Sequence, residues 1–374
     1  MSATDIPTRV KIRLWGKAAG RCQYEGCNKP LWQDNLTKVE FNIAYIAHII
    51  ADKPDGPRGD EELSKELASD MSNLMLMCDE HHRLIDKEDI EGHPVERLRV
   101  MKKEHEERIE ILGSLQKDRR SHLLLYGANI GEHSSPLTWE KVVPALYPNR
   151  YPAEKPSIDL GFKNSAYQDH EKEYWQIEKV NLERQFERMV RPKLISGEVN
   201  HLSIFALAPM PLLAYLGRLI SDIPAAEIYQ LHREPPDWCW QEEPDEFEYI
   251  LSTPAEKLTN VAINLSFSGT INNERITHVL GADTSIWSLS INEPYNDFLK
   301  AKGQLELFRK TYKRLLDRIK AVHGEDKVIH IFPAVPVSIA VEIGRVRMPK
   351  ADLPMRIYDK NSQNSDFVFA LDIA

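Results

Sequence analysis

Cys22 and Cys27 place two thiolates with four residues between them, and Cys78 and His81 place a thiolate and an imidazole with two residues between them. Together they make one tetrahedral N/S ligand set, the kind Zn²⁺ prefers, and a zinc ligated wholly by protein is structural because no position stays open to water. Four cysteines in 374 residues are too few for a secreted disulfide scaffold, and in a reducing compartment clustered cysteines read as metal ligands. Cys239 stands apart and is read as inert. A zinc clamp would join the start of an N-terminal domain to its middle. In a domain of about 110 residues with a modest core, such a clamp supplies much of the folding energy.

A second histidine, His82, directly follows His81; Asn73 stands five positions before Cys78, and His48 lies upstream in Ala47-His48-Ile49. A lone histidine is more often structural than catalytic, but this combination beside a metal knuckle marks a candidate site. The arrangement resembles the HNH nuclease family, whose ββα-metal motif runs His, then Asn-Leu-x-x-x-Cys-x-x-Cys-His. Here His81 takes the place of the last zinc cysteine, and the likeness covers residues 20 to 90. The resemblance implies an α+β, treble-clef-like zinc-knuckle domain with structural Zn²⁺ on Cys22, Cys27, Cys78 and His81. It further implies His48 as general base, His82 as ligand of a catalytic Mg²⁺ or Mn²⁺, and Asn73 holding the strand-loop geometry and orienting His48 or the metal's water shell. The reaction would be hydrolysis of double-stranded DNA: a base deprotonates water, and a cation neutralises charge on the phosphorane and the leaving 3′ oxygen. Many members carry an acidic metal ligand just before the first histidine, where this chain has Ala47. Asp52, Asp70 and Asp86 are candidates for the missing carboxylate. Asp86 is the best placed, since four residues after His82 falls on the same helix face.

The elements that must position these residues follow from pattern. Residues 8 to 19 have helical composition, ended by Gly20. Val39 to Ile50 is β-rich and closed by the turn-forming run Asp52-Lys-Pro-Asp-Gly-Pro-Arg-Gly59; Asn73-Leu-Met-Leu-Met77 reads as a second strand, with a short helix after Cys78. From Pro94 to about Lys117 a long solvated helix carries one packing stripe, Val95, Leu98, Met101, Ile109 and Leu112. The boundaries expected are a domain over residues 1–118 and a second over 119–374.

Beyond Arg120, strand candidates at 122–126, 201–207, 261–267, 286–291 and 328–332 alternate with helices at 171–190 and 304–322, an α/β pattern. Leu146 to Gly161 is proline-rich and reads as irregular. One internal repeat stands out. Ile204 to Arg218 matches Ile331 to Arg345 without a gap, with Ile, Phe, Pro, Gly and Arg in register, and each copy reads as strand, proline turn, helix. Leu125-Tyr-Gly127 and Phe267-Ser-Gly269 open the two halves, placed at about 119–255 and 256–374. The repeat and the fusion to an HNH-like domain resemble the SAVED sensor domains of bacterial CBASS anti-phage systems, built from two CARF-like, Rossmann-like halves. This likeness implies an α/β sensor that binds a cyclic di- or trinucleotide activator and switches the nuclease on by assembly, from a dimer at rest to a higher oligomer. Ligands of α/β sheets settle at the carboxyl ends of strands, so the loops after Phe205, Phe267 and Phe332 supply the candidate ligand residues: Ala208, Pro209, Met210, Ser266, Ser268, Gly269, Pro333, Ala334 and Pro336. Arg345, like Arg218, either neutralises phosphate or solvates a helix end. Trp238-Cys-Trp240 either stacks on a base or belongs to core or flap.

Composition narrows the classes. The net charge of −9, with acids outnumbering bases on both sides of residue 120, excludes a whole-surface nucleic-acid platform. The local exception is Arg9 to Lys29, where six cations face only Glu25; it either contacts phosphates or forms a solvated helix face. No apolar run suits a membrane span and no secretory pattern opens the chain, so the expectation is a cytoplasmic protein with no membrane partner. Two other readings stand beside the defence effector. One is a restriction-type HNH endonuclease whose second domain recognises modified or specific DNA; the other is a zinc-knuckle DNA-binding regulator with a ligand-sensing tail.

Overall fold

The computed structural model describes residues 5–34, 36–114, 119–130, 137–161, 167–360 and 366–373. It divides into two units, Met1–Leu115 and Gln116–Ala374. In the first, α1 (Thr8–Lys17) starts after Pro7 and buries Leu14 against β2. β1 (Tyr45–His48) and β2 (Leu74–Met77) pair antiparallel, with Tyr45 opposite Met77 and His48 opposite Leu74. All four residues of β2 are buried, so this short run is covered on both faces. The strand expected over 39–50 shrinks to four residues. Val39 and Phe41 lie exposed, and before Tyr45 the segment is held to residues 31–34 by an isolated bridge between Gln33 and Glu40 and by bonds from Phe41 N to Trp32 O and Ile43 N to Leu31 O, both at 3.0 Å, without forming a strand.

Between the strands lie the turn run and α2 (Leu63–Glu66). After Cys78 comes α3 (Asp79–Arg83), which widens into a π-turn over Leu84–Glu88, and then α4 (Val95–Ser114). α4 buries Leu98, Met101 and His105, whereas Leu112 is exposed. The apolar stripe therefore serves only the helix's first half. Residues 115–117 of the expected helix, and the expected boundary at 118, lie outside the described residues.

Among the described residues, the second unit holds two sheets. The first contains β3 (Arg120–Gly127), β4 (Tyr151–Pro152), β6 (Leu202–Leu207) and β7 (Ala226–Ile228) in the order β4-β3-β6-β7, with β5 (Ile158–Leu160) also on β3; all these pairs are parallel. β4 and β5 fall inside the segment expected to be irregular. Ile158 and Leu160 are buried on β3, opposite Leu124 and Tyr126, and this packing outweighs the prolines around them. α5 (Trp139–Val142), α6 (Lys172–Met189) and α7 (Arg191–Ile195) belong to this half.

The second sheet runs β13-β12-β11-β9-β10-β8. Its parallel centre is β9 (Asn260–Ser266), β10 (Thr284–Ser290), β11 (Ile329–Ala334) and β12 (Met355–Lys360). β8 (Ile250–Ser252) and β13 (Phe367–Ile373) close the edges antiparallel. α9 (Asn273–Leu280) and α10 (Lys302–His323) belong to this half.

The repeat copies become β6 followed by α8 (Met210–Ile220), and β11 followed by α11 (Val337–Val346), and the two helices pack on each other. Two repeat glycines sit at the crossing. A Cβ on Gly217 would lie 1.9 Å from the carbonyl oxygen of Val341 and 2.8 Å from Arg345 N; one on Gly344 would lie 1.8 Å from that of Ala214 and 2.9 Å from Arg218 N. Ala214 and Arg218 are the repeat equivalents of Val341 and Arg345, so the crossing obeys a local two-fold in which backbone meets backbone. Only glycine allows that approach. We expect Gly344→Ala to force the helices apart and cost about 3 kcal/mol, lowering the melting temperature of this unit by roughly 6 to 12 °C; an unchanged melt would refute the contact.

At the amino ends of β3 and β6, buried His201 meets Ser121 Oγ at 2.8 Å, and that hydroxyl meets Ser203 Oγ at 2.8 Å. Burial, followed by the charges of Arg150, Lys302 and Arg345, pushes His201 down to about 3. The folded state therefore binds fewer protons than the unfolded chain, whose histidine titrates near 6.5, so this contribution is full above that pH and is lost as pH falls. Between about pH 6.5 and 4.5 stability should fall by up to roughly 1.4 kcal/mol per pH unit from this group. His201→Gln should flatten that slope in melting curves taken across the window, and an equally steep variant would exclude His201 as its source.

Candidate functional site

Cys22, Cys27, Cys78 and His81 converge: one ligand atom from each lies within 4.8 Å of all the others. His81 Nδ1 is 3.1 Å from Cys78 Sγ and 3.7 Å from Cys22 Sγ. A tetrahedral ion with bonds of about 2.0 to 2.3 Å has edges of roughly 3.3 to 3.8 Å, so the set fits zinc. Burial raises the Cys22 thiol well above its ordinary range and raises that of Cys78 as well. Two buried sulfurs raised in this way become thiolates only with a cation beside them.

The residues that surround the knuckle carry no motif of their own. Buried Gln23 fastens it to β2 by a backbone bond to Leu76 O at 2.9 Å and a side-chain bond from Leu76 N at 2.8 Å. Tyr24 stacks on the His81 ring at 4.1 Å and 8°, and its hydroxyl meets buried His93 Nε2 at 3.0 Å. These are ordinary residue types with no motif spacing, legible only once the loop is closed.

His48, at the end of β1, is buried with Nε2 2.9 Å from the Ala68 carbonyl. A carbonyl accepts, so Nε2 is the donor in this contact and Nδ1 is the nitrogen it leaves unengaged. Asn73 is spent on backbone: its Oδ1 accepts from Ile50 N at 2.8 Å, and its Nδ2 donates to Ile50 O at 2.8 Å and Leu67 O at 3.2 Å. It thus clasps the chain after His48. The other expected role, orienting an imidazole or a water shell, is corrected, because its amide is already engaged. His82, on α3, stacks on Tyr45 of β1 at 5.0 Å and 16°, and its Nε2 lies 3.3 Å from Asp86 Oδ2. That separation is close to the edge, about 3 Å, of an octahedron with 2.1 Å bonds, so the pair fits two adjacent ligands of a Mg²⁺-sized ion. Burial lowers the His82 pKa more than the Asp86 charge raises it, which favours the neutral, ligating ring.

Other candidates fall elsewhere. Asp70 caps the turn at Met71–Asn73, its Oδ1 accepting from Ser72 N at 2.7 Å. A cleft of about 840 Å³ lined by Lys17, Asp70, Ser72 and Arg99 contains neither His48 nor His82. The basic strip is partly consumed internally: Lys17 pairs with Glu106 at 3.2 Å, and Arg21 donates to Asn28 O at 3.0 Å while lying over Trp32.

In the second unit, the ligand candidates separate into framework and surface. Ala208 and Pro209 are buried in the β6–α8 link, Pro333 is buried within β11 opposite Leu265, and Pro336 is buried at the start of α11. Buried Ser266 donates to Asn264 Oδ1 at 2.7 Å and accepts from Ile271 N at 3.0 Å. These five hold the loops in place without facing solvent. Met210, Ser268, Gly269 and Ala334 remain partly accessible, although the Ala334 carbonyl already accepts from Phe267 N at 3.0 Å and Ser268 N at 2.7 Å. Arg345 is a correction: it is buried at the far end of α11 and donates to Glu342 Oε1 at 3.1 Å. Trp238 belongs to the core, edge-on to Phe205 at 5.2 Å.

The family model described as SMODS-associated and fused to various effectors sensor domain, SAVED, matches residues 182–373. The chain belongs to the SAVED family. Its sensor unit contains the whole matched segment, including both glycine-bearing helices. Solved structures similar to this SAVED protein include the Acinetobacter baumannii Cap4 SAVED/CARF-domain containing receptor with the cyclic trinucleotide 2′3′3′-cAAA (TM-score 0.43, 12% identity, 84% of this chain and 67% of that one). The same receptor with 3′3′3′-cAAA (0.43, 13%, 84% and 71%) and the Moraxella osloensis Cap4 receptor (0.40, 13%, 84% and 70%) are similar as well. No curated protein matches the sequence. Among the described residues, no helix is long and apolar enough to cross a membrane.

The knuckle predicts a metal count. Purified protein should carry about one zinc per chain, and Cys22→Ser should lose it and abolish the N-terminal melting transition while leaving the SAVED transition in place. Elemental analysis with calorimetry decides this, and a variant retaining stoichiometric zinc would remove the assignment.

Proposed function

We propose that this SAVED protein is an HNH-type, metal-dependent DNA endonuclease whose sensor unit binds a cyclic di- or trinucleotide and releases the nuclease in anti-phage defence. The observation that carries the nuclease half is the pairing of His82 Nε2 with Asp86 Oδ2 at 3.3 Å in the same unit as a buried His48 held by one nitrogen. The position of Asp86 supports this reading, since it offers a carboxylate beside the second histidine where none precedes the first. Family membership supports the sensing half, because SAVED is a sensor domain fused to effectors.

In this mechanism His48 Nδ1 takes a proton from water as the new O–P bond forms and the P–O3′ bond breaks; solvent protonates the departing oxygen. A divalent ion on His82 and Asp86 would supply charge neutralisation at the phosphorane and the leaving oxygen. Ala68 O prevents the base from turning, and Asn73 keeps the chain beyond His48 from peeling away. Control follows from linkage: a nucleotide that binds an assembled state more tightly than a resting one shifts the population toward assembly.

The test is plasmid digestion in Mg²⁺ with individual cyclic di- and trinucleotides. One of them should raise cleavage and oligomer size together, and His48→Ala should lower the activated rate at least about 100-fold with zinc and melting intact. Undiminished digestion by His48→Ala would end the nuclease reading. Equal digestion with and without every nucleotide would instead favour the restriction-type alternative.

A further inference from the structure

Arg58 belongs to none of the motifs that drew attention to the site; it sits in the turn run between the strands. Its backbone has φ +55, a left-handed conformation that a non-glycine residue holds only under constraint. The constraint is its side chain, 6% exposed. Nε donates to Ile49 O at 2.7 Å, Nη1 to Ile85 O at 2.6 Å, and Nη2 to Asp86 Oδ1 at 2.6 Å, with His48 O a further 3.4 Å contact of Nη2. One planar group thus spans the end of β1, which carries His48, and the π-turn, which carries Asp86.

Asp86 is then divided: Oδ1 belongs to Arg58, and Oδ2 is directed at His82. A guanidinium enclosed by two backbone segments is too buried to meet a phosphate. Its consequence falls on the carboxylate, whose rotation it stops, and on the spacing between the strand and the helix. We propose that Arg58 is a positioning residue that aims Asp86 Oδ2 at the hydrolytic ion and sets the span between His48 and His82. This rests on the nuclease reading of the unit. A lysine cannot substitute, because a point charge has no rigid fork to hold two carbonyls and a carboxylate at once.

The experiment measures Mn²⁺ binding to the zinc-loaded, full-length protein by electron paramagnetic resonance, beside cleavage of plasmid. Arg58→Lys should weaken Mn²⁺ binding about 10- to 100-fold and lower kcat, leaving KM for DNA and the zinc content unchanged. In an Asp86→Asn background the same change should add less than about twofold, because the residue it acts through is gone. Asp86→Glu gives a second measure that leaves Arg58 in place: its longer side chain cannot satisfy the fork and face His82 together, so Mn²⁺ affinity should fall at least about tenfold. Unaltered Mn²⁺ affinity in Arg58→Lys or Asp86→Glu, additive losses in the double variant, or wild-type protein that binds no Mn²⁺ would each overturn the inference. A wild type that binds Mn²⁺ with the expected dependence on Arg58 but cuts no DNA in the presence of any cyclic di- or trinucleotide would sink the nuclease reading alone.

Discussion

The closure of four soft ligands on one point governs the first unit. Cys78 is both a member of that set and the residue that opens α3, so whatever fixes the sulfur fixes the helix start. His81 is then committed inward to the sulfurs, and one helical step, about 100°, turns His82 toward β1 and Tyr45. The adjacent histidines therefore serve different masters because of backbone geometry alone. The hairpin contributes little independent rigidity: two strands of four residues are marginal without a third partner. Gln23, bonded through both backbone and side chain to Leu76, transmits the clamp to β2, and β2 sets β1 through its register.

The second unit is organised by a different constraint, the approach of two backbones. With glycine at both contact points, α8 and α11 meet at a distance no other residue permits, and the halves acquire one relative orientation. Everything at the carboxyl rim inherits that orientation. The Ala334 carbonyl, which accepts two N–H groups from the loop after β9, ties the second half's own loops into one surface before any ligand is considered.

Much of this was legible in the sequence because the signals were of types that physics restricts. Metal ligands need particular atoms at particular spacings, and the knuckle emerged as four residues that do converge. The gapless repeat located two helices and their shared glycine, and strong apolar runs located five parallel strands. Three kinds of feature stayed hidden. Short strands such as β5 and β7 carry too few residues for a periodicity and exist because a neighbour's edge covers them. Residue type could not tell a solvated Arg345 from one drawn into the core by Glu342. Arg58 looked like turn filler, since its importance lies in which distant carbonyls reach it. Serine and proline at strand ends misled in the other direction: Ser266 and Pro336 suit a ligand rim and a loop framework equally well, and burial chose the framework.

The repeat is also unequal in an instructive place. Tyr215 in α8 and Glu342 in α11 are equivalent positions, each next to the glycine crossing. Arg218 and Lys179 lie over the Tyr215 ring at 5.4 and 5.1 Å, whereas Glu342 faces Arg345 at 3.1 Å and Arg309 at 3.2 Å. Both halves thus surround the position with cations, but one meets them with a π-face and the other with a buried charge. Burial alone would drive the Glu342 carboxyl toward its neutral form, and the two guanidiniums oppose that shift. A pair of identical halves could exchange partners between chains and lose nothing. In this chain an exchange pairing α11 with α11 would bring two carboxylates to a crossing built for one, and a pairing of α8 with α8 would bring none. The broken symmetry therefore favours the intramolecular pairing.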